Sequence, residues 1–65
     1  MDLSAFQRLK KLHRRITRQR SQLNRLKDEL RSHPYDSLLA DRVIDSEIML
    51  DNLIDQADQI LNESI

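Results

Sequence analysis

Between residues 4 and 32 the apolar positions are Leu9, Leu12, Ile16, Leu23, Leu26 and Leu30, with Gln19 standing where a further apolar residue is due. Steps of three and four gather these residues on one side of a helix, because the chain advances about 100° per residue. The pattern predicts a long helix with a narrow coiled-coil stripe, its cations lying off that stripe. Ser4 and Gln7 have capping-box spacing, so the helix is expected to begin near residue 4 and run to about 32. Pro34 ends it, since His33 ahead of it is pushed out of the helical region and proline has no donor for the ladder. A turn is expected over 33–35. Asp36 or Ser37 then caps a second helix over about 36–62, with an acidic first turn suited to the helix dipole.

The second helix repeats the heptad with Leu39, Val43, Leu50, Leu53, Ala57 and Ile60, interrupted by Ser46. Ile44, Ile48, Met49, Ile54 and Leu61 fall beside or behind this seam, so its apolar arc is wider than the first helix can cover. The expected fold is all-α: an antiparallel, coiled-coil-like two-helix hairpin in one domain, residues 1–65. The surplus arc predicts a homodimer of hairpins forming a four-helix bundle, or a groove on another protein as the alternative cover. Ile44, Ile48, Met49, Asp51 and Ile54 are the expected partner- or dimer-binding residues. Gln19 and Ser46 are expected to fix register and oligomer state.

Charge strengthens the antiparallel reading. Residues 1 to 33 hold ten of the eleven Lys and Arg against Asp2, Asp28 and Glu29, a net +7. Residues 34 to 65 hold Arg42 alone against eight carboxylates, a net −7. Side by side, the two halves present opposite potentials along their length. Exposed pairs add only a few tenths of a kcal/mol each, so charge selects pairing and register more than it supplies stability.

Composition removes several classes of function. A chain of 65 residues is short for a self-sufficient core, which again points to a partner. Phe6 and Tyr35 are the only aromatics, too few for an aromatic-lined pocket or a base-stacking platform. Without glycine there is no phosphate-cradling loop, and without cysteine no disulfide or thiolate metal site. His13 and His33 lack the helical spacing of a metal pair, so neither metal nor cofactor is expected. No serine has the glycine-rich turn that builds an oxyanion hole. No apolar run suits a membrane span and the N-terminus lacks a signal-peptide centre, so a soluble, cytoplasmic protein is expected.

The stretch Arg8 to Arg20 carries seven cations in thirteen residues, and Arg8, Arg14, Arg15 and Arg18 form its candidate nucleic-acid face. A basic-region zipper keeps its DNA-contacting segment ahead of its heptads, whereas Leu9, Leu12 and Ile16 interleave with these cations. The acidic half would also repel phosphates, so nucleic acid is the second alternative rather than the leading one. The leading function is a protein-interaction or regulatory module acting through the exposed face of the hairpin.

Val43-Ile44 and Leu50-Asp51-Asn52-Leu53-Ile54, preceded by Leu23, Leu26, Leu30 and a connecting turn, carry a resemblance. Residues 23 to 57 resemble the small helical-hairpin phosphatases that act on sporulation response regulators in spore-forming bacteria. That family's Ser-Gln-Glu-Leu-Asp signature falls on Glu47-Ile48-Met49-Leu50-Asp51, where Leu50 and Asp51 match, and Leu53 and Ile54 fill the apolar pair that follows. The resemblance implies removal of phosphate from an aspartyl-phosphate, with Asp51 as the functional residue and a response regulator as the partner supplying the metal. The signature serine and glutamine are absent here, which affects catalysis more than binding.

Overall fold

The computed structural model describes residues 3–63. Two helices, α1 (Leu3–Ser32) and α2 (Ser37–Glu63), run antiparallel and pack against each other along their whole length. The Cα trace measures 47 × 15 × 12 Å, and its radius of gyration of 14.9 Å exceeds the roughly 11 Å of a rounded domain of this length. It is a rod two helices wide, so its core is a single seam.

Both heptads meet in that seam. Ala5, Leu12, Leu53 and Ile60 are buried together at one end, with Leu9, Ile16 and Ala57 packed against them. Leu23, Val43 and Leu50 form the second cluster, flanked by Leu26, Leu30 and Ile54. Ala5 extends the stripe one step beyond the leucines from which it was inferred. Leu53, at 3% exposure, is the most enclosed of the buried apolar residues, yet among the described residues no side chain is fully sealed from water. A single seam leaves every residue one open flank.

The chain reverses over His33-Pro34-Tyr35-Asp36. The His33 amide still donates to the carbonyls of Glu29 and Leu30, at 3.0 and 3.1 Å, closing α1. The Asp36 amide then donates to the His33 carbonyl at 3.1 Å, a β-turn with proline in the position where its fixed φ is preferred. Asp36 caps α2: its Oδ1 accepts from the Leu39 amide at 3.1 Å while its carbonyl accepts from Ala40 at 3.0 Å. The helix therefore starts at Ser37, one residue later than expected, and its first turn holds no acid, contrary to the expected acidic turn. Ser4 lies within a helix already formed at Leu3, so it does not act as the N-cap that its spacing with Gln7 suggested. Asp36→Ala should cost about 1 kcal/mol through the lost cap, lowering the melting temperature by about 4–8 °C in a circular dichroism scan.

Candidate functional site

In antiparallel packing each seam has two flanks. Lys27 and Glu47 mark one of them, joined at 3.4 Å; both are half-exposed, so the pair aligns the helices while adding little energy. Among the described residues it is the ion pair that crosses between helices. Arg25 and Asp45 face outward on separate helices and make no such bridge.

Heptad geometry puts Phe6, His13, Arg20 and Lys27 of α1 on this flank with Ala40, Glu47, Ile54 and Leu61 of α2. Ile44, Ile48 and Asp51 adjoin it on the outer side of α2. Ile44 and Ile48 are 54% and 55% exposed, Phe6 and Leu61 are also open, and Ile54 is half-buried against the Leu23 cluster. The result is an apolar stripe along α2, continued onto α1 by Phe6, whose ring lies 5.8 Å from the Lys10 ammonium. Asp51 is exposed inside it, three residues from Ile48 on one side and from Ile54 on the other. Leu50 and Leu53, beside it in sequence, turn inward and belong to the seam, where the heptad puts them.

Met49 separates from the other expected contact residues. One residue on from Ile48, it turns about 100° to the opposite flank, where Gln19 Nε2 donates to its sulfur. Four of the five partner-binding residues inferred from sequence thus share a surface, and the fifth does not.

Gln19 and Ser46 occupy the layer between the two apolar clusters. Ser46 is buried, at 7% exposure, and its hydroxyl has no hydrogen-bond partner. Gln19 lines the same groove, with Gln22, Leu26, Arg42, Asp45 and Met49, but directs its amide to Met49. Both polar residues interrupt the seam where sequence placed them.

No family model, characterised protein or solved structure matches this chain. Its function must therefore be argued from the surfaces just described. The flank opposite the apolar stripe is basic on its α1 side: Arg8 and Arg15 border a groove with Lys11, Gln56, Gln59 and Glu63, floored by Leu12 and Ile60. Arg14 and Arg18 continue the cationic surface around the outside of α1. His13 is exposed, with its carbonyl accepting from the Thr17 hydroxyl at 2.9 Å, and His33 lies in the turn, far along the rod from it. Among the described residues no three His, Asp or Glu converge as metal ligands, and no helix is long and apolar enough to cross a membrane.

Proposed function

We propose that this chain is a protein-interaction module that docks through the apolar stripe of α2. The observation that carries this reading is the exposure of Ile44 and Ile48 on a rod whose own seam already satisfies α1. Two large aliphatic side chains left half in water gain by being covered, each by roughly half of the 1.5–3 kcal/mol that full burial of an exposed side chain is worth. No corresponding gain is available to a chain working alone. The acidic residues beside them, Asp51 and Asp55, add charge selectivity, because a partner that buries the stripe must bring cations or leave carboxylates unpaired.

The test is a photocrosslinking amino acid placed at position 48, with one at position 28 on the outer face of α1 as the control, in the native host. Position 48 is expected to yield protein adducts and position 28 none. Adducts from neither position, or equal adducts from both, would remove the stripe as a docking surface. Ile48→Asp is further expected to weaken the complex at least tenfold, while circular dichroism of the isolated hairpin stays helical, because Ile48 lies outside its seam.

The exposure of Asp51 within the same stripe favours a second reading, phosphatase action on a response regulator's aspartyl-phosphate. A docked regulator would have its phosphoryl site brought to this carboxylate, which would orient the attacking water. Incubation with a phosphorylated receiver domain tests it directly. Faster phosphate release, lost in Asp51→Asn, would establish the enzyme; an unchanged rate would leave binding alone.

A further inference from the structure

The outer face of α2 constrains the chemistry of whatever covers it. We propose that the occupant is a cationic amphipathic helix of another protein, laid along α2 with its aliphatic residues on Ile44 and Ile48 and its cations beside the flanking aspartates. This rests on the docking reading above and names the partner's chemistry.

Steps of three and four place Asp41, Ile44, Ile48, Asp51, Asp55 and Asp58 on one line along the side of α2 that points away from the seam, and all six are exposed. Asp41 and Asp51 each lie five residues from the midpoint of the isoleucine pair, about 7.5 Å along the axis. An aliphatic centre is thus bracketed by carboxylates. From Asp41 to Asp55 the line runs about 21 Å, four helical turns, and its side chains form a ridge of the kind that seats in the groove of a second helix.

The charge on this face is not cancelled by the hairpin itself. Among the described residues none of Asp41, Asp45, Asp51, Asp55 and Asp58 has an ion-pair partner: the bridge to α1 uses Glu47, and Arg42, the sole cation of α2, lies on the flank of Met49. Their field attracts a cationic partner and repels an acidic or phosphate-bearing one. An uncharged apolar helix would cover the isoleucines but strip water from the aspartates without pairing them.

A second copy of this chain fits the face less well. The matching line on α1 runs Gln7, Lys10, Arg14, Thr17, Ser21 and Asn24, which offers cations but no aliphatic residue for Ile44 and Ile48. Setting α2 on α2 opposes acid to acid. An outer α1 face on an outer α2 face is also a head-to-tail contact, which leaves both remaining faces open and does not close.

The test uses three synthetic helices that share one leucine stripe and carry Arg, Gln or Glu on either side of it, titrated calorimetrically into the full chain. The Arg helix is expected to bind at least tenfold tighter than the Gln helix at about 0.05 M salt, with the gap narrowing at about 0.5 M, and the Glu helix to bind weakest. Combined Asp41→Asn, Asp51→Asn and Asp55→Asn should bring the Arg helix down to the affinity of the Gln helix. Combined Ile44→Gln and Ile48→Gln should weaken the Arg helix at least tenfold, with circular dichroism still helical because both positions lie outside the seam. A Gln or Glu helix that binds as tightly as the Arg helix would overturn the cationic partner and leave the docking surface intact. Arg-helix binding that ignores the isoleucine substitutions would be charge adhesion alone and would overturn the proposal. So would failure of all three helices to bind while position 48 still gives adducts, or a dimer of the chain alone that Ile48→Gln dissociates, which would put a second copy on the face. Absence of any position 48 adduct, by contrast, would remove the docking reading itself.

Discussion

Leu53→Ala is expected to cost 2–5 kcal/mol and to lower the melting temperature by at least 10 °C, the largest loss from any single truncation in the chain. Leu53 is the most enclosed of the buried apolar residues, and it joins Ala5, Leu12 and Ile60 in a cluster with no second layer behind it. A cavity in a thicker core can be partly refilled by neighbours. In a one-seam rod the truncation opens a channel to water and separates the helices locally. Domains of this length have a total stability of only about 3–10 kcal/mol, so the variant should be substantially unfolded at 37 °C. Leu38→Ala is the matched control: Leu38 is exposed and off the seam, and its loss should move the melting temperature by no more than a few degrees. Equal shifts for the two variants would show that the seam does not hold the hairpin together.

The second large effect has the opposite sign. Ser46→Ala should stabilise the chain by about 1–2 kcal/mol, because it removes a buried hydroxyl that has no partner and replaces a weaker helix former with the best one. Thermal melting by circular dichroism should show a rise of about 4–15 °C. Adding Gln19→Leu should raise it further by joining the two apolar clusters across the layer that now divides them. The doubly substituted seam loses its one polar layer, and with it a mark that distinguishes the native pairing from other helix arrangements. Analytical centrifugation of that variant should reveal mixed oligomers. A lower melting temperature for Ser46→Ala would mean that the hydroxyl is satisfied in solution.

The fold was largely legible because its two determinants are local and periodic. The heptads of Leu9 to Leu30 and Leu39 to Ile60 place nearly every seam residue, and the His33-Pro34 step allows only one point of reversal. What misled was capping chemistry, which depends on single hydrogen bonds. Ser4 and Gln7 have the right spacing, but the helix already includes them; Asp36 and Ser37 were equally plausible caps until the Leu39 amide selected Asp36. The surface was legible in composition but not in side. Met49 follows Ile48 directly, and only the rotation between successive residues shows that Gln19 claims it on the other flank. Of the cations of α1, Lys27 makes the bridge to α2 among the described residues, while Arg8, Arg14, Arg15 and Arg18 face solvent or groove.

The one-layer seam has a consequence for the order in which the molecule opens. The turn holds the helices together at one end, with its amides closed by His33 and Asp36, whereas the far end depends on the Ala5 and Ile60 layer. Alanine offers the least apolar surface of any seam residue there, so strand-like unzipping starts at that end and travels toward the turn. Amide hydrogen exchange should therefore form a gradient: fastest near Leu3 and Glu63, slower through Leu12 and Leu53, and slowest around Leu23, Val43 and Leu50. Folding is expected to run the same path in reverse. Closing the short turn first costs the least chain entropy, and each heptad then docks beside one already in place. The hairpin behaves as a zipper with its slider at Pro34.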